Sequence, residues 1–413
     1  MRVALITFHT FSQPGGVKRH ILGLQKEFKK RGIYSKVIIP RRKREEYYGK
    51  DVILLGTSFP VIAGGTQTEI DINFNPWAIE RVLKKEKFDV LHFHNFTLPS
   101  GWQILERSQA LNILTIHANI ERLKKTPGLQ IFLYLCKILT QWKIDGMIGV
   151  APLNLQLAKG FKGPKAVIPN GTDLEEFNPR IPAINKFKDG KINILFLGRI
   201  EERKGLIYLL KAYKILEEKL GSEWVTSNLR LIIGGEGPLK KDLEKWARNN
   251  QLKNVIFEGR INEEKTPSYY SSCDIFCSPA IFGESFGLVL LEAMACGKPV
   301  VAFANTGYRQ FLQDKKGGRF LAKNRNYKDL AEKLEILIKN PKLRKEMAEG
   351  GVKEAQNYSW PKIADQVLDF YQLCKKEKQK RKKREGISLE KILDKILKKM
   401  YPKDILNWLK WPK

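Results

Sequence analysis

Gly283-Glu284-Ser285-Phe286-Gly287-Leu288-Val289-Leu290-Leu291-Glu292-Ala293-Met294-Ala295-Cys296-Gly297 sets two carboxylates eight positions apart, with two glycines and a serine ahead of an apolar run. Eight residues is a little over two helical turns. The pattern therefore predicts a helix from Ser285 to Cys296, with Glu284 at or just before its first turn and Glu292 on about the same face. The first N–H groups of a helix have no internal partners and carry partial positive charge, which suits a diphosphate. Ser285, Phe286, Gly287 and Leu288 are then donor-binding positions. A carboxylate further along accepts hydrogen bonds from sugar hydroxyls, so Glu292 fits a ribose and Glu284 a second sugar beyond the phosphates. The same spacing also fits a buried helix with two acids turned to solvent.

Outward from this segment, β-branched runs alternate with amphipathic ones. In the second half the expected strands are Asn193–Leu197, Leu229–Ile233, Val255–Phe257, Asp274–Cys277 and Pro299–Phe303, with helices between them. In the first half they are Val3–Phe8, Ser35–Ile39, Asp89–Phe93, Asn112–Ile116 and Gly146–Val150, with helices expected at Val17–Arg31, Trp77–Lys85, Leu129–Trp142 and Leu153–Lys159. Such alternation predicts an α/β protein with two Rossmann-like domains facing each other across a cleft. The expected boundaries are an acceptor-side domain over 1–170, a linker over 171–190 rich in turn residues, and a donor domain over 191–358. A helix over 359–374 and a basic tail over 375–413 follow.

Three further clusters point at the same crevice. Gly198-Arg199 leaves the first strand of the second half and Arg203-Lys204-Gly205 follows, placing cations at its mouth; a surface salt-bridge pair is the plain alternative. Gly234-Gly235-Glu236-Gly237 and Gly259-Arg260 end the next two strands, so Gly235 lets a ligand come close and Arg260 flanks the base. In the first half, Gly15 and Gly16 open the first helix, where a phosphate site and a tight turn are both compatible with the residues. All five histidines lie in the first 117 residues, and His92, His94 and His117 fall near strand ends, where open α/β sheets bind ligands. No acidic third ligand is near them in sequence, and no metal site is expected.

The Glu-x7-Glu segment, the Gly-Gly-Val-x-x-His of 15–20 and the Phe-Asp-Val-Leu-His-x-His of 88–94 resemble glycosyltransferase family 4, retaining enzymes of the GT-B fold. The likeness covers residues 1 to about 373, and in motif it is nearest to the phosphatidylinositol mannosyltransferases. It implies that Arg199 and Lys204 neutralise the departing nucleoside diphosphate, that Glu284 and His117 lie by the donor sugar, that Glu292 binds the ribose, and that His20 faces the acceptor. It also implies front-face transfer, in which the leaving phosphate oxygen takes the acceptor's proton. With no Asp-x-Asp at a strand end, metal-independent chemistry is expected, with a loosely held Mg²⁺ left open. A nucleotide sugar, GDP-mannose among the options, is the expected donor, and no cofactor is needed.

The chain of 413 residues carries a net charge of +30, which draws anions such as nucleotides or acidic membranes. No run reaches the 18 or so apolar residues of a membrane span. Residues 375–413 hold 15 basic and 5 acidic residues, net +10. Within them Leu389, Ile392, Leu393, Ile396, Leu397 and Met400 form a narrow apolar stripe, followed by Trp408 and Trp411. That is the pattern of an in-plane anchor on an anionic membrane, with a lipid-linked acceptor as its corollary. Packing on the protein itself or on a second copy, giving a homodimer, is the alternative. The expected location is cytoplasmic, peripheral at the inner face of the membrane. A sugar-nucleotide epimerase of similar fold is the competing enzyme reading. A nucleic-acid-binding protein is the competing non-enzyme, disfavoured because the tail lacks interleaved aromatics and no recognition module is visible.

Overall fold

The computed structural model describes residues 1–12, 15–43, 45–63, 66–73, 75–95, 100–117, 143–312 and 320–380. The expected helix at Leu129–Trp142 and the stripe and tryptophans beyond residue 380 lie outside the described residues.

Fourteen strands form two sheets among the described residues. In the first half these are β1 Arg2–Thr7, β2 Tyr34–Arg41, β3 Val52–Ala63, β4 Thr66–Ile72, β5 Val90–His94, β6 Leu111–Ile116, β7 Gly146–Gly149 and β8 Lys165–Val167. The second half supplies β9 Ile192–Leu197, β10 Leu229–Gly234, β11 Val255–Gly259, β12 Ile275–Ser278, β13 Val300–Phe303 and β14 Leu321–Ala322. The first sheet runs β4-β3-β2-β1-β5-β6-β7-β8 and the second β11-β10-β9-β12-β13-β14. Every pairing is parallel except β3 with β4. In both sheets the first strand sits centrally and the order reverses beside it, between β1 and β5 and between β9 and β12. Loops leaving the carboxyl ends of those strands therefore diverge and leave a crevice.

Alternation along the central strands fills both faces. Val3 and Leu5 pack on one side and Ala4 and Ile6 on the other; Ile194 and Phe196 oppose Leu195 and Leu197 in the same way. The helices that position the site are α1 Gly16–Lys30, α2 Leu206–Leu220, α3 Leu288–Ala295, α4 Thr306–Leu312 and α5 Trp360–Lys380. Sequence periodicity missed the β3–β4 hairpin, where Gly56 and Pro60 interrupt the apolar run, and the short strands β8 and β14. The expected helix at Leu153–Lys159 is a 3-10 helix over Pro152–Ala158.

Although it comes last among the described elements, α5 packs on the first sheet. Trp360, Ile363, Ala364, Val367, Phe370, Tyr371 and Cys374, spaced three and four apart, are buried in one core with Val3, Leu5, Ile21, Leu24 and Phe28. Small residues make room for it: a Cβ on Gly23 of α1 would lie 2.1 Å from Trp360 Cε2, and one on Gly146 would lie 2.2 Å from Cys374 Sγ. This gives a sign test. Gly23→Ala should lower the melting temperature, through overpacking of about 1–3 kcal/mol that outweighs alanine's better helix propensity. Gly350→Ala, in the helix Pro341–Ala355 with nothing near the added methyl, should leave it unchanged or raise it. A rise with Gly23→Ala in thermal denaturation would refute this docking of α5.

Candidate active site

The loop after β9 and the loop after β12 meet at the switch point of the second sheet. Lys204 Nζ donates to Glu284 Oε1 at 2.7 Å, and Arg203 NH1 donates to the same oxygen at 2.8 Å. Arg203 Nε also donates to Glu201 Oε1 at 2.6 Å, and Arg199 NH2 stands 3.7 Å from Glu201 Oε2. Three cations and two carboxylates thus share one network. Burial lowers the Lys204 ammonium from its usual range, partly offset by Glu284 and reinforced by neighbouring Arg203. Burial would raise Glu284, but Lys204 and Arg203 more than offset that and hold it below the usual carboxylate range. Arg199, the most exposed of the three cations, is nearest to solvent.

The helix itself begins later than its spacing suggests. α3 opens at Leu288, because Gly287 takes φ 96°, a left-handed conformation that a helix cannot pass through. A Cβ there would also meet Tyr308 of α4 at 2.7 Å. Glu284 is therefore in the loop that precedes α3. Ser285 does not open the helix either; it is buried, and its Oγ accepts from Asn154 Nδ2 at 3.3 Å across the cleft. The Phe286 ring turns into the core against Phe311, with centroids 4.7 Å apart, so its side chain faces packing and not a donor. Glu292 projects from α3 but is only 3% exposed. Tyr270 Oη donates to its Oε2 at 2.8 Å, and Arg19 NH1 reaches across from α1 to its Oε1. Glu292 raises the Arg19 guanidinium above its ordinary value.

On the facing side, α1 begins at Gly16, with Gly15 extended ahead of it and open space where a Gly15 side chain would be. A Cβ on Gly16 would come within 3.1 Å of Leu288 Cδ1, so the two loops face each other closely. The approach to α1 is held by Glu69 of the hairpin, which accepts from Thr10 N at 2.8 Å, Thr10 Oγ1 at 3.0 Å and Arg42 NH1 at 3.2 Å. Below α1 the histidines gather: His20 from α1, His94 from the end of β5 and His117 just past β6. His94 Nδ1 and His117 Nε2 are 3.0 Å apart, and His20 Nδ1 is 2.9 Å from Asn170 Oδ1. Burial lowers the His117 imidazole well below its ordinary value, with His20 and His92 adding to the effect, and burial brings His20 down to about 4. These rings are therefore neutral at physiological pH.

Between the halves lies a cavity of about 300 Å³ lined by Ser12, Lys18, Arg260, Ile261, Asn262, Glu263 and Glu264. Lys18 Nζ donates to Glu263 Oε2 at 3.3 Å, while Glu263 Oε1 is buried with no hydrogen-bond partner among the described residues. Gly235 makes its close approach to protein: a Cβ there would lie 1.9 Å from Gly198 O, so its φ of 146° lets the β10 loop pack on the β9 loop.

The fold thus brings Lys204, Glu284 and, through Glu201, Arg199 together; Glu292 meets Arg19 from the opposite half, and His117 meets His20. Sequence reading left out Arg19, Tyr270, Glu69, Asn154 and Glu263. Only Arg19 had a usable signal, being one residue before His20 in the first turn of α1.

Residues 177–354 match the family described as "Glycosyl transferases group 1", and residues 14–176 match "Glycosyltransferase Family 4". The phosphatidyl-myo-inositol mannosyltransferase of Mycobacterium leprae is 30% identical over 383 residues, covering 90% of this chain and 96% of that protein. The alpha-monoglucosyldiacylglycerol synthase of Streptococcus pneumoniae is 29% identical over 338 residues, 77% of this chain and 74% of that protein. Among solved structures, sucrose-phosphate synthase from Thermosynechococcus elongatus superposes with a TM-score of 0.71 at 20% identity, covering 90% of this chain and 98% of that one. Anabaena HepE in complex with UDP does so with 0.69 at 17%, covering 90% and 100%.

Proposed function

This chain belongs to glycosyltransferase family 4, as a retaining hexosyltransferase of the GT-B fold, and from that premise we propose that it transfers a hexose, mannose by preference, from a guanosine diphosphate sugar to a lipid-linked acceptor at a membrane surface. Family membership sets aside the epimerase and nucleic-acid readings.

The observation that carries the proposal is the meeting of Arg203 and Lys204 with Glu284 at the switch point, with Arg199 joined to them through Glu201. As the glycosidic bond breaks, negative charge builds up on the leaving diphosphate. Prearranged cations and N–H donors aimed there are usually the largest catalytic term. Lys204 and Arg199, with the N–H groups at Gly15, Gly16 and Leu288, supply them in this reading without a metal. Glu284 orients Lys204 and accepts from a sugar hydroxyl, Glu292 takes the ribose hydroxyls, and His117 accompanies the sugar. The leaving phosphate oxygen takes the proton of the incoming hydroxyl on the same face.

Guanine is favoured by the interdomain cavity. Glu263, whose carboxylate lines the cavity, suits the adjacent N1–H and N2–H donors of guanine. Uracil offers one N–H flanked by two carbonyls, which a carboxylate repels. Support for a lipid acceptor comes from the lipids that both relatives' names contain and from the basic tail of 375–413. No helix among the described residues is long and apolar enough to cross a membrane.

The test has two parts. Thermal shift with GDP, UDP and ADP should rank GDP tightest by about tenfold, with the preference falling in Glu263→Gln. Incubation with labelled GDP-mannose and vesicles of phosphatidylinositol or diacylglycerol should then give a labelled lipid. Selective binding of UDP would overturn the guanine assignment. A nucleotide-binding protein that labels no lipid but labels a water-soluble sugar acceptor would overturn the lipid one.

A further inference from the structure

The histidine cluster reaches further than its expected contact with the sugar. One ring nitrogen from each of His20, His94 and His117 lies within 4.8 Å of those of the other two. These residues come from α1, the end of β5 and the loop after β6, so tertiary structure alone assembles them. His20 and His94 are buried, at 2% and 0% exposed, and His20 Nε2 and His94 Nε2 have no hydrogen-bond partner among the described residues. Unpartnered buried ring nitrogens are uncommon, and one explanation is an ion absent from the structure. His20 is also prepared as a ligand: its Nδ1 donates to Asn170 Oδ1, the outer contact that fixes a tautomer and leaves Nε2 with its lone pair directed elsewhere. His117 is partly exposed.

We propose that His20, His94 and His117 form a binding site for a zinc-class divalent ion, and that an ion held there draws His117 away from the donor sugar and inhibits transfer. The ligand chemistry selects the ion. Three imidazoles and no carboxylate suit Zn²⁺, Co²⁺, Ni²⁺ or Cu²⁺ and not Mg²⁺ or Ca²⁺. Tetrahedral zinc with bonds of about 2.0–2.1 Å needs ligand nitrogens about 3.3–3.4 Å apart. Side-chain rotation then closes the remaining gap between the three rings. The ion is not a participant in the reaction; it competes for a residue that the reaction uses. The binding half of the proposal stands independently of the proposed function, and the inhibitory half rests on it.

The full-length protein, stripped with a chelator and dialysed, is titrated with Co²⁺. One equivalent should bind with the visible absorption bands of low-symmetry nitrogen coordination, and Zn²⁺ should displace it. His94→Gln and His20→Gln should each weaken Zn²⁺ binding by about tenfold or more in equilibrium dialysis, while His9→Gln, outside the cluster, should bind as the parent does. Circular dichroism of each variant separates lost ligation from lost folding; if His20→Gln does not fold, His94→Gln carries the test. Absence of a stoichiometric Co²⁺ site, or binding unmoved by both substitutions, overturns the site. Stoichiometric binding that leaves lipid glycosylation by the Zn²⁺-loaded parent at its metal-free rate overturns inhibition while leaving the site in place.

Discussion

Lys204→Met should lower kcat by about 10²–10³-fold, the loss expected when one well-placed group facing developing charge is removed. Its fold should survive. Arg203 continues to donate to Glu284 Oε1 at 2.8 Å, so the buried carboxylate keeps a cationic partner and the melting temperature should move by only a few degrees. Glu284→Ala has the opposite profile, because it leaves Lys204 and Arg203 side by side without the oxygen they share. A larger stability loss should therefore accompany its loss of turnover. Arg199→Met should cost less than Lys204→Met in kcat, since Arg199 is more exposed and its contact to Glu201 is 3.7 Å long. The donor KM should change little in Lys204→Met if the ammonium acts on the leaving group, and should carry most of the effect if it only holds substrate. Steady-state kinetics at saturating donor, with thermal denaturation in parallel, decides between them. A kcat within threefold of the parent would remove Lys204 from the chemistry.

How much of this was legible before folding depends on whether the signal was local. The two-sheet architecture could be read because β1, β9 and β10 are short apolar runs with β-branched residues, separated by turn residues and amphipathic helices, a pattern written in consecutive residues. The cations after β9 were found because they leave the carboxyl end of a recognisable strand, and the glutamate of 284 because its spacing from Glu292 is itself local. The helix start was misplaced because Gly287 takes a left-handed conformation at a position where a side chain would also meet Tyr308, a residue 21 positions away, and no local rule signals that. Phe286 was assigned to the donor through the N–H groups at the helix start; its ring packs with Phe311 and Tyr358, which only the tertiary structure brings near. Arg19 and Tyr270 illustrate the same limit. They share Glu292 although 251 positions separate them, and the pairing depends on how the two sheets face each other. The histidine cluster lies between these cases, since its members were visible as residues near strand ends but their convergence was not.

The Arg19 contact makes a second large effect accessible. In this structure the guanidinium of Arg19 occupies Glu292 Oε1, and Tyr270 occupies Oε2. A ribose that hydrogen-bonds to this carboxylate must compete with Arg19, so part of the binding free energy of any nucleotide is spent on separating the pair. Glu292→Gln should weaken binding of the nucleoside diphosphate by about 10–100-fold, since an amide accepts less strongly than a carboxylate and presents one acceptor in place of two. Arg19→Ala should act in the other direction and tighten the nucleoside diphosphate by about 3–10-fold, the loss of a competitor worth roughly 1 kcal/mol. Its apo form should also melt lower, because Glu292 then keeps only the Tyr270 hydroxyl among the partners seen here. The double variant completes a cycle: if Arg19 acts through Glu292, removing it should confer no gain once position 292 is glutamine. Isothermal titration of the four proteins with the preferred nucleoside diphosphate measures each corner. Weaker binding by Arg19→Ala, in the parent and in the Glu292→Gln background alike, would make Arg19 a ligand of the phosphates and refute competition for the ribose carboxylate.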